Sequence, residues 1–130
     1  MVAQQKQPYI SPEEYLEREH KATTKSEYLD GIVVAMAGAS PEHNAITFNL
    51  GTALGLQLRN RDCRGFSSDL RVRVPECNRF YYPDITVVCG TPEYEILTGL
   101  SALLNPTLLI EVLSESTEQS DRCDKFDCCQ

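Results

Sequence analysis

Apolar residues along the chain fall into two alternating spacings, and the points where the spacing changes mark out the elements. Ser11-Pro12-Glu13-Glu14 reads as a helix start, with a Ser cap, Pro at the first position and Glu in the first turn. That helix is predicted to run to about His20. Lys25 to Leu29 and Ile32 to Ala37 are strand-like, and the Asp30-Gly31 pair between them is a strong hairpin signal. Ser40-Pro41-Glu42 opens a second helix, predicted to end near Asn60. In it Ile46, Leu50, Ala53 and Leu54 recur at helical spacing, which predicts one buried face.

Residues 64 to 74 read as one or two strands, with alternation over Leu70-Arg71-Val72-Arg73-Val74 until Pro75 breaks the run. Asp84 to Cys89 is predicted as a strand stopped by Gly90-Thr91-Pro92. Thr107 to Leu113 is the most apolar stretch, which predicts a central strand buried on both faces. Ser120-Asp121 reads as the start of a final helix, with about ten residues of chain left for it. No internal repeat, low-complexity tract or linker is visible. With 130 residues, the chain is expected to form a single α/β domain over residues 1–130. Its first ~8 residues are expected to be flexible.

Composition changes this picture only in part. A hydrophobic share of 42% is that of an ordinary globular protein. The net charge is −7, from 12 basic and 19 acidic residues, and argues against a protein that coats nucleic acid by charge neutralisation. It leaves room for an enzyme that meets DNA through one local patch. Arg59, Arg61, Arg64, Arg71, Arg73 and Arg79 all fall mid-chain, either as such a patch or as solvated loops and strand faces.

The N-terminus MVAQQKQPY lacks the apolar core of a secretory signal. No apolar run approaches the ~20 residues that span a bilayer. A soluble, cytoplasmic protein is expected, without membrane association, and its six cysteines are then expected to be reduced thiols. Cys63, Cys77 and Cys89 read as small hydrophobes. Cys123, Cys128 and Cys129 crowd the last eight residues. Their C-x4-C-C spacing matches no common zinc finger and lacks a fourth ligand.

Two carboxylates stand out. Glu111 lies in Leu108-Leu109-Ile110-Glu111-Val112-Leu113, and its neighbours on the same face of the pleat are Leu109 and Leu113. A carboxylate there is costly unless paired, so it marks either an edge strand facing water or a lined pocket. Asp84 follows Pro83 and opens Ile85-Thr86-Val87-Val88-Cys89, either as a strand-end turn residue or as a second acid of the same site. Two such acids could converge on one hard cation.

Lys125, four residues after Asp121, is a surface i,i+4 partner or a cation that positions water beside the acids. Glu27 shares a face with Lys25 and Leu29 and reads as half-exposed. His43 shares the face of Ile46 and Leu50 in the first turn of its helix and points inward. Asp69 is a turn residue or a further acid.

Taken in order, these strings resemble the Uma-two family, a restriction-endonuclease-like branch of the PD-(D/E)XK nuclease superfamily. The resemblance rests on Tyr82-Pro83-Asp84-Ile85-Thr86-Val87-Val88, on Asn105-Pro106-Thr107-Leu108-Leu109-Ile110-Glu111-Val112-Leu113-Ser114, and on Ser116-Thr117, Asp121 and Lys125-Phe126. Glu27-Tyr28-Leu29-Asp30-Gly31, Ser40-Pro41-x-His43 and Ser68-Asp69-Leu70-Arg71-Val72 extend it, from about Tyr9 to Phe126.

The resemblance implies a restriction-endonuclease-like core, a mixed β-sheet flanked by α-helices. It implies a Mg²⁺- or Mn²⁺-dependent endonuclease acting on the phosphodiester bonds of DNA, and often a homodimer. Asp84 and Glu111 would hold the metal, and Glu27 would be the extra acid of the site. Leu113 stands where the superfamily usually has its lysine, so Lys125 would supply that function from the following helix. His43 and Asp69 match positions near the site without an assigned role. Members usually continue well past Lys-Phe, so the chain is expected to be shortened at its C-terminus relative to the family. The alternatives are a nuclease fold that only binds nucleic acid or a protein, and a cysteine-tail metal binder.

Overall fold

A computed structural model describes residues 8–114 and 125–129. In chain order the elements are α1 (Pro12–Lys21), β1 (Ser26–Leu29), β2 (Ile32–Ala35), α2 (Pro41–Gln57), β3 (Cys63–Phe66) and β4 (Val72–Val74). A 3-10 turn at Pro75–Cys77 follows, then β5 (Arg79–Tyr81), β6 (Ile85–Cys89), β7 (Tyr94–Leu97), β8 (Leu100–Leu103), β9 (Leu108–Ile110) and α3 (Phe126–Cys129).

The strands form two sheets. One is six-stranded in the order β2-β1-β5-β4-β8-β7, and the other three-stranded in the order β3-β6-β9. The larger sheet is mixed, because β4 and β8 run parallel while its other pairs are antiparallel. The α/β class and the mixed sheet with flanking helices are therefore those expected.

Local chemistry explains the elements that matter for the site. Ser11 and Ser40 cap α1 and α2 by accepting from the backbone N–H three residues on, at 3.2 and 3.1 Å, and Pro occupies the first turn of each. The β1–β2 hairpin turns at Asp30 (φ 45°) and Gly31 (φ 97°), both left-handed, as a two-residue hairpin of this twist requires. Gly31 is also required by space, since a Cβ there would run into the Tyr9 ring.

Two cores hold the layers together. Tyr15 and Leu16 of α1 pack on Tyr28, Phe80 and Ala102 of the larger sheet, with Ile10 closing the edge. The rings of Tyr15, Tyr28 and Phe80 lie 5.2–5.8 Å apart, in the range of favourable aromatic pairs. The second core joins the two sheets, with Val72 and Leu103 from the larger meeting Val88 from the smaller.

Several expectations fail in instructive ways. The predicted buried face of α2 is absent: none of its residues is fully buried, and Phe48 and Leu56 are 75% and 65% exposed. Its apolar side chains are spread around the whole helix rather than gathered in a stripe, so no single neighbour can cover them. The stretch Thr107–Leu113 is not a central strand buried on both faces. Only Leu108–Ile110 is strand, it lies beside β6 at the border of the small sheet, and Leu108 and Leu113 are exposed. β6 takes the central place instead.

The strands β5, β7 and β8 were not foreseen, because each is three or four residues of mixed polarity without clean alternation. The predicted start of the last helix at Ser120-Asp121 lies outside the described residues.

The expectation of free thiols is also corrected. Cys63 is bonded to Cys89 and Cys77 to Cys128. The first pair sits at directly opposed positions of β3 and β6, a closeness that element-by-element reading does not reveal. The second ties the 3-10 turn after β4 to α3. With Cys128 so engaged, the tail thiols cannot act together as a zinc cluster.

Candidate active site

Asp84 and Glu111 are brought together by strand register. The β6–β9 ladder pairs Ile85 with Ile110, so Asp84 and Glu111 occupy the next opposed position, at the end where both strands stop. Pro83 has no N–H to continue a ladder, and Asp84 follows it just outside β6. The Asp84 carboxylate turns back on β9: its Oδ2 accepts from the Val112 N–H at 2.6 Å. His43, in the first turn of α2, reaches the same oxygen with Nε2 at 3.3 Å and the Val112 carbonyl at 3.0 Å.

Glu111 faces a second group. The Lys125 ammonium sits 3.2 Å from Glu111 Oε1 and 3.2 Å from Glu27 Oε2, and lies 4.8 Å from the centre of the Tyr81 ring. Glu27 comes from β1, and its Oε2 also accepts from the Tyr82 N–H at 3.1 Å. All five side chains are largely sheltered, with exposures of 10% for Lys125, 15–16% for Asp84, His43 and Glu27, and 21% for Glu111. A lysine between two such carboxylates offsets their repulsion and gives both a charge-assisted partner.

The structure thus gathers Glu27, His43, Asp84, Glu111 and Lys125 at the ends of β1, β6 and β9 and the start of α2. Lys125 is an internal ion-pair partner rather than a surface residue. Asp69 is not drawn into this group: it is exposed and pairs with Lys25 at 3.0 Å. Among the described residues, no three His, Cys, Asp or Glu side chains meet as a closed metal-ligand cluster.

Sequence reasoning missed the Tyr81-Tyr82 pair. Tyr81 provides the aromatic face under Lys125. Tyr82 fixes Glu27 through its backbone and donates its hydroxyl to Glu19 Oε2 at 2.7 Å, with its pKa raised by burial and by that bond. Their position just before Pro83-Asp84 was the available signal.

Of the six mid-chain arginines, three have internal duties. Arg71 donates to the Tyr82 hydroxyl, Arg73 to Asn78, and Arg79 to the Tyr81 hydroxyl. Arg59, Arg61 and Arg64 remain exposed. Arg59 borders an open groove of about 640 Å³ between α2, β3 and β6, which reaches Asp84 and is also lined by Asn44, Phe48 and Ser67.

The chain thus combines a mixed α/β fold with two acids at paired strand ends and a lysine beside one of them. A solved structure of a putative nuclease of the DUF820 group from Anabaena variabilis has the same fold, with a TM-score of 0.69 at 23% identity, covering 92% of this chain and 67% of that one. Residues 12–130 match the Uma2 family model, described as "Putative restriction endonuclease", and the chain belongs to that family. The Synechocystis proteins sll1609 and slr1290, both described as uncharacterized, are 39% and 37% identical over 117 and 119 residues. These matches cover 90% and 92% of the chain, which spans 66% and 61% of the lengths of those relatives.

Proposed function

We propose that this site hydrolyses phosphodiester bonds of DNA with the help of a divalent cation, Mg²⁺ or Mn²⁺. The observation that carries the proposal is the register-paired placement of Asp84 and Glu111 beside the Lys125 ammonium. The donor set fits such an ion. Carboxylate oxygens are hard ligands, and Mg²⁺ ordinarily takes one or two protein carboxylates, completing its shell with water and substrate phosphate. A closed three-residue cage is not needed.

Asp84 and Glu111 would hold the cation, with Asp84 presenting Oδ1, since Oδ2 is committed to Val112 and His43. When bound, the cation supplies Lewis acidity towards the phosphate and lowers the pKa of a coordinated water. The chain's own residues do the rest. Lys125 has N–H donors to orient the attacking water or to meet the charge growing on a non-bridging oxygen. Glu27 keeps that ammonium charged and aimed, and is itself fixed by the Tyr82 N–H. Arg59, Arg61 and Arg64 offer phosphate contacts along the groove, a local basic patch on an acidic protein.

The test is cleavage of supercoiled and linear DNA with Mg²⁺ or Mn²⁺, against an EDTA control. The wild-type protein cuts, and Asp84→Asn and Glu111→Gln each lose at least ~10²-fold. Undiminished divalent-dependent cleavage by Asp84→Asn would sink the scheme. The lack of a closed ligand cluster among the described residues favours one second reading, a nuclease fold that binds nucleic acid without cutting. DNA binding without cleavage under any divalent ion would select it.

A further inference from the structure

His43 was matched only as a residue near the site, and its contacts give it a definite role. Ser40 caps α2 through the His43 N–H, which places the imidazole at the first turn, over the end of β9. There Nε2 lies 3.0 Å from the Val112 carbonyl and 3.3 Å from Asp84 Oδ2. Both are acceptors when the acid is ionised, so Nε2 must carry the hydrogen. Nδ1 is buried and has no hydrogen-bond partner among the described residues, so nothing there competes for the opposite tautomer.

Val112 closes the arrangement from the other side. Its N–H donates to Asp84 Oδ2 at 2.6 Å, while its carbonyl accepts from His43. The Val112 N–H therefore donates to Oδ2, and the imidazole that stands 3.3 Å from the same oxygen is held by the carbonyl of the same residue. The carboxylate cannot swing about its own bond without breaking both contacts.

We infer that His43 is a positioning residue for Asp84: its imidazole, held by the Val112 carbonyl 3.3 Å from Oδ2, backs the Val112 N–H bond to that oxygen and leaves Oδ1 for a divalent cation. The inference rests on the metal-site reading above and goes beyond it, because it names the residue that sets the geometry of the ligand. Partners that orient a ligating side chain commonly govern metal affinity by 10–100-fold, roughly, when removed.

Two substitutions separate this role from simple packing. The side-chain nitrogen of Gln falls near the place of histidine Nε2, and that of Asn near Nδ1. Mn²⁺ binding to the whole protein is measured by calorimetry for the wild type, Asp84→Asn, His43→Gln and His43→Asn, with melting temperatures taken alongside. Expected are lost binding for Asp84→Asn, an apparent Kd raised about 10–100-fold for His43→Asn, and a value within a few-fold of wild type for His43→Gln.

If Asp84→Asn loses Mn²⁺ while His43→Asn binds like wild type, or if Gln and Asn are equally weak, the role of His43 is overturned and the metal site stands. If Asp84→Asn binds as wild type does, the metal reading falls and takes this inference with it. A ¹H–¹⁵N correlation of the imidazole gives a reading that needs no metal. The hydrogen is expected on Nε2, and a neutral ring with it on Nδ1 overturns the inference outright.

Discussion

Replacing Lys125 by Met removes a charge and keeps most of the stem, which makes it the cleanest perturbation of the acidic cluster. Each of its contacts to Glu27 and Glu111 is 3.2 Å long. At an effective dielectric of about 20, each carries ~5 kcal/mol of gross Coulomb attraction. Most of that offsets the cost of taking three charges out of water. A fully buried partner left alone costs ~3–5 kcal/mol. Here the carboxylates keep 16% and 21% exposure, so the penalty is discounted to about 2 kcal/mol. Loss of the cation over the Tyr81 ring adds roughly 0.5 kcal/mol.

A total near 2–3 kcal/mol lowers the melting temperature of a chain of this size by roughly 8–12 °C. The assay is thermal unfolding followed by circular dichroism at pH 7.5, for Lys125→Met, Glu27→Gln and the double variant. Neutralising Glu27 should recover at least ~1 kcal/mol of the loss, since the repulsion it relieves is the one Lys125 had offset. A Lys125→Met protein that melts within about 2 °C of wild type, with no coupling to Glu27→Gln, would refute the ion-pair geometry.

Two further outcomes follow from residues away from the acids. Burial raises the pKa of Tyr15 and Tyr82, and raises that of Tyr28 to about 12. The folded state therefore holds these protons more tightly than the unfolded chain, whose tyrosines titrate near 10. Their contribution is fully present below pH 10 and declines as pH rises above it, that of Tyr28 being lost by about pH 12. Denaturant midpoints should fall across that window, and midpoints that stay level or rise contradict the burial of these rings. Alkylation of the denatured but unreduced protein should modify at most two of the six cysteines, and six after reduction. Six without reductant would remove both bonds.

What the sequence disclosed depended on how local the determining signal was. The two capped helix starts and the Asp30-Gly31 hairpin were legible because capping and left-handed turns are set by three or four adjacent residues. β5, β7 and β8 were not. β5 and β8 are held by partners distant in sequence, as Tyr28 holds Phe80 and Val72 holds Leu103, and β7 is an edge strand paired with β8 across a two-residue turn.

The acids were visible as carboxylates out of place in apolar strings, and the family resemblance ordered them. Their meeting depended on register, which no single string contains. Lys125 shows the limit most clearly: its spacing from Asp121 suggested a surface pair, and its neighbours Glu27 and Glu111 come from opposite parts of the chain. The same limit hid Tyr82, whose backbone serves Glu27 across 55 residues. It also hid the opposition of Cys63 and Cys89.

The central claim is that Asp84 and Glu111 share one divalent cation. The most direct measurement is a crystal of the protein soaked in Mn²⁺, with anomalous scattering recorded to locate the ion. The account predicts one strong peak about 2.1 Å from a carboxylate oxygen of each acid, a Mg²⁺-like oxygen-ligand distance, and no such peak in Asp84→Asn. Manganese found elsewhere on the protein, or bound by only one of the two acids, would contradict it.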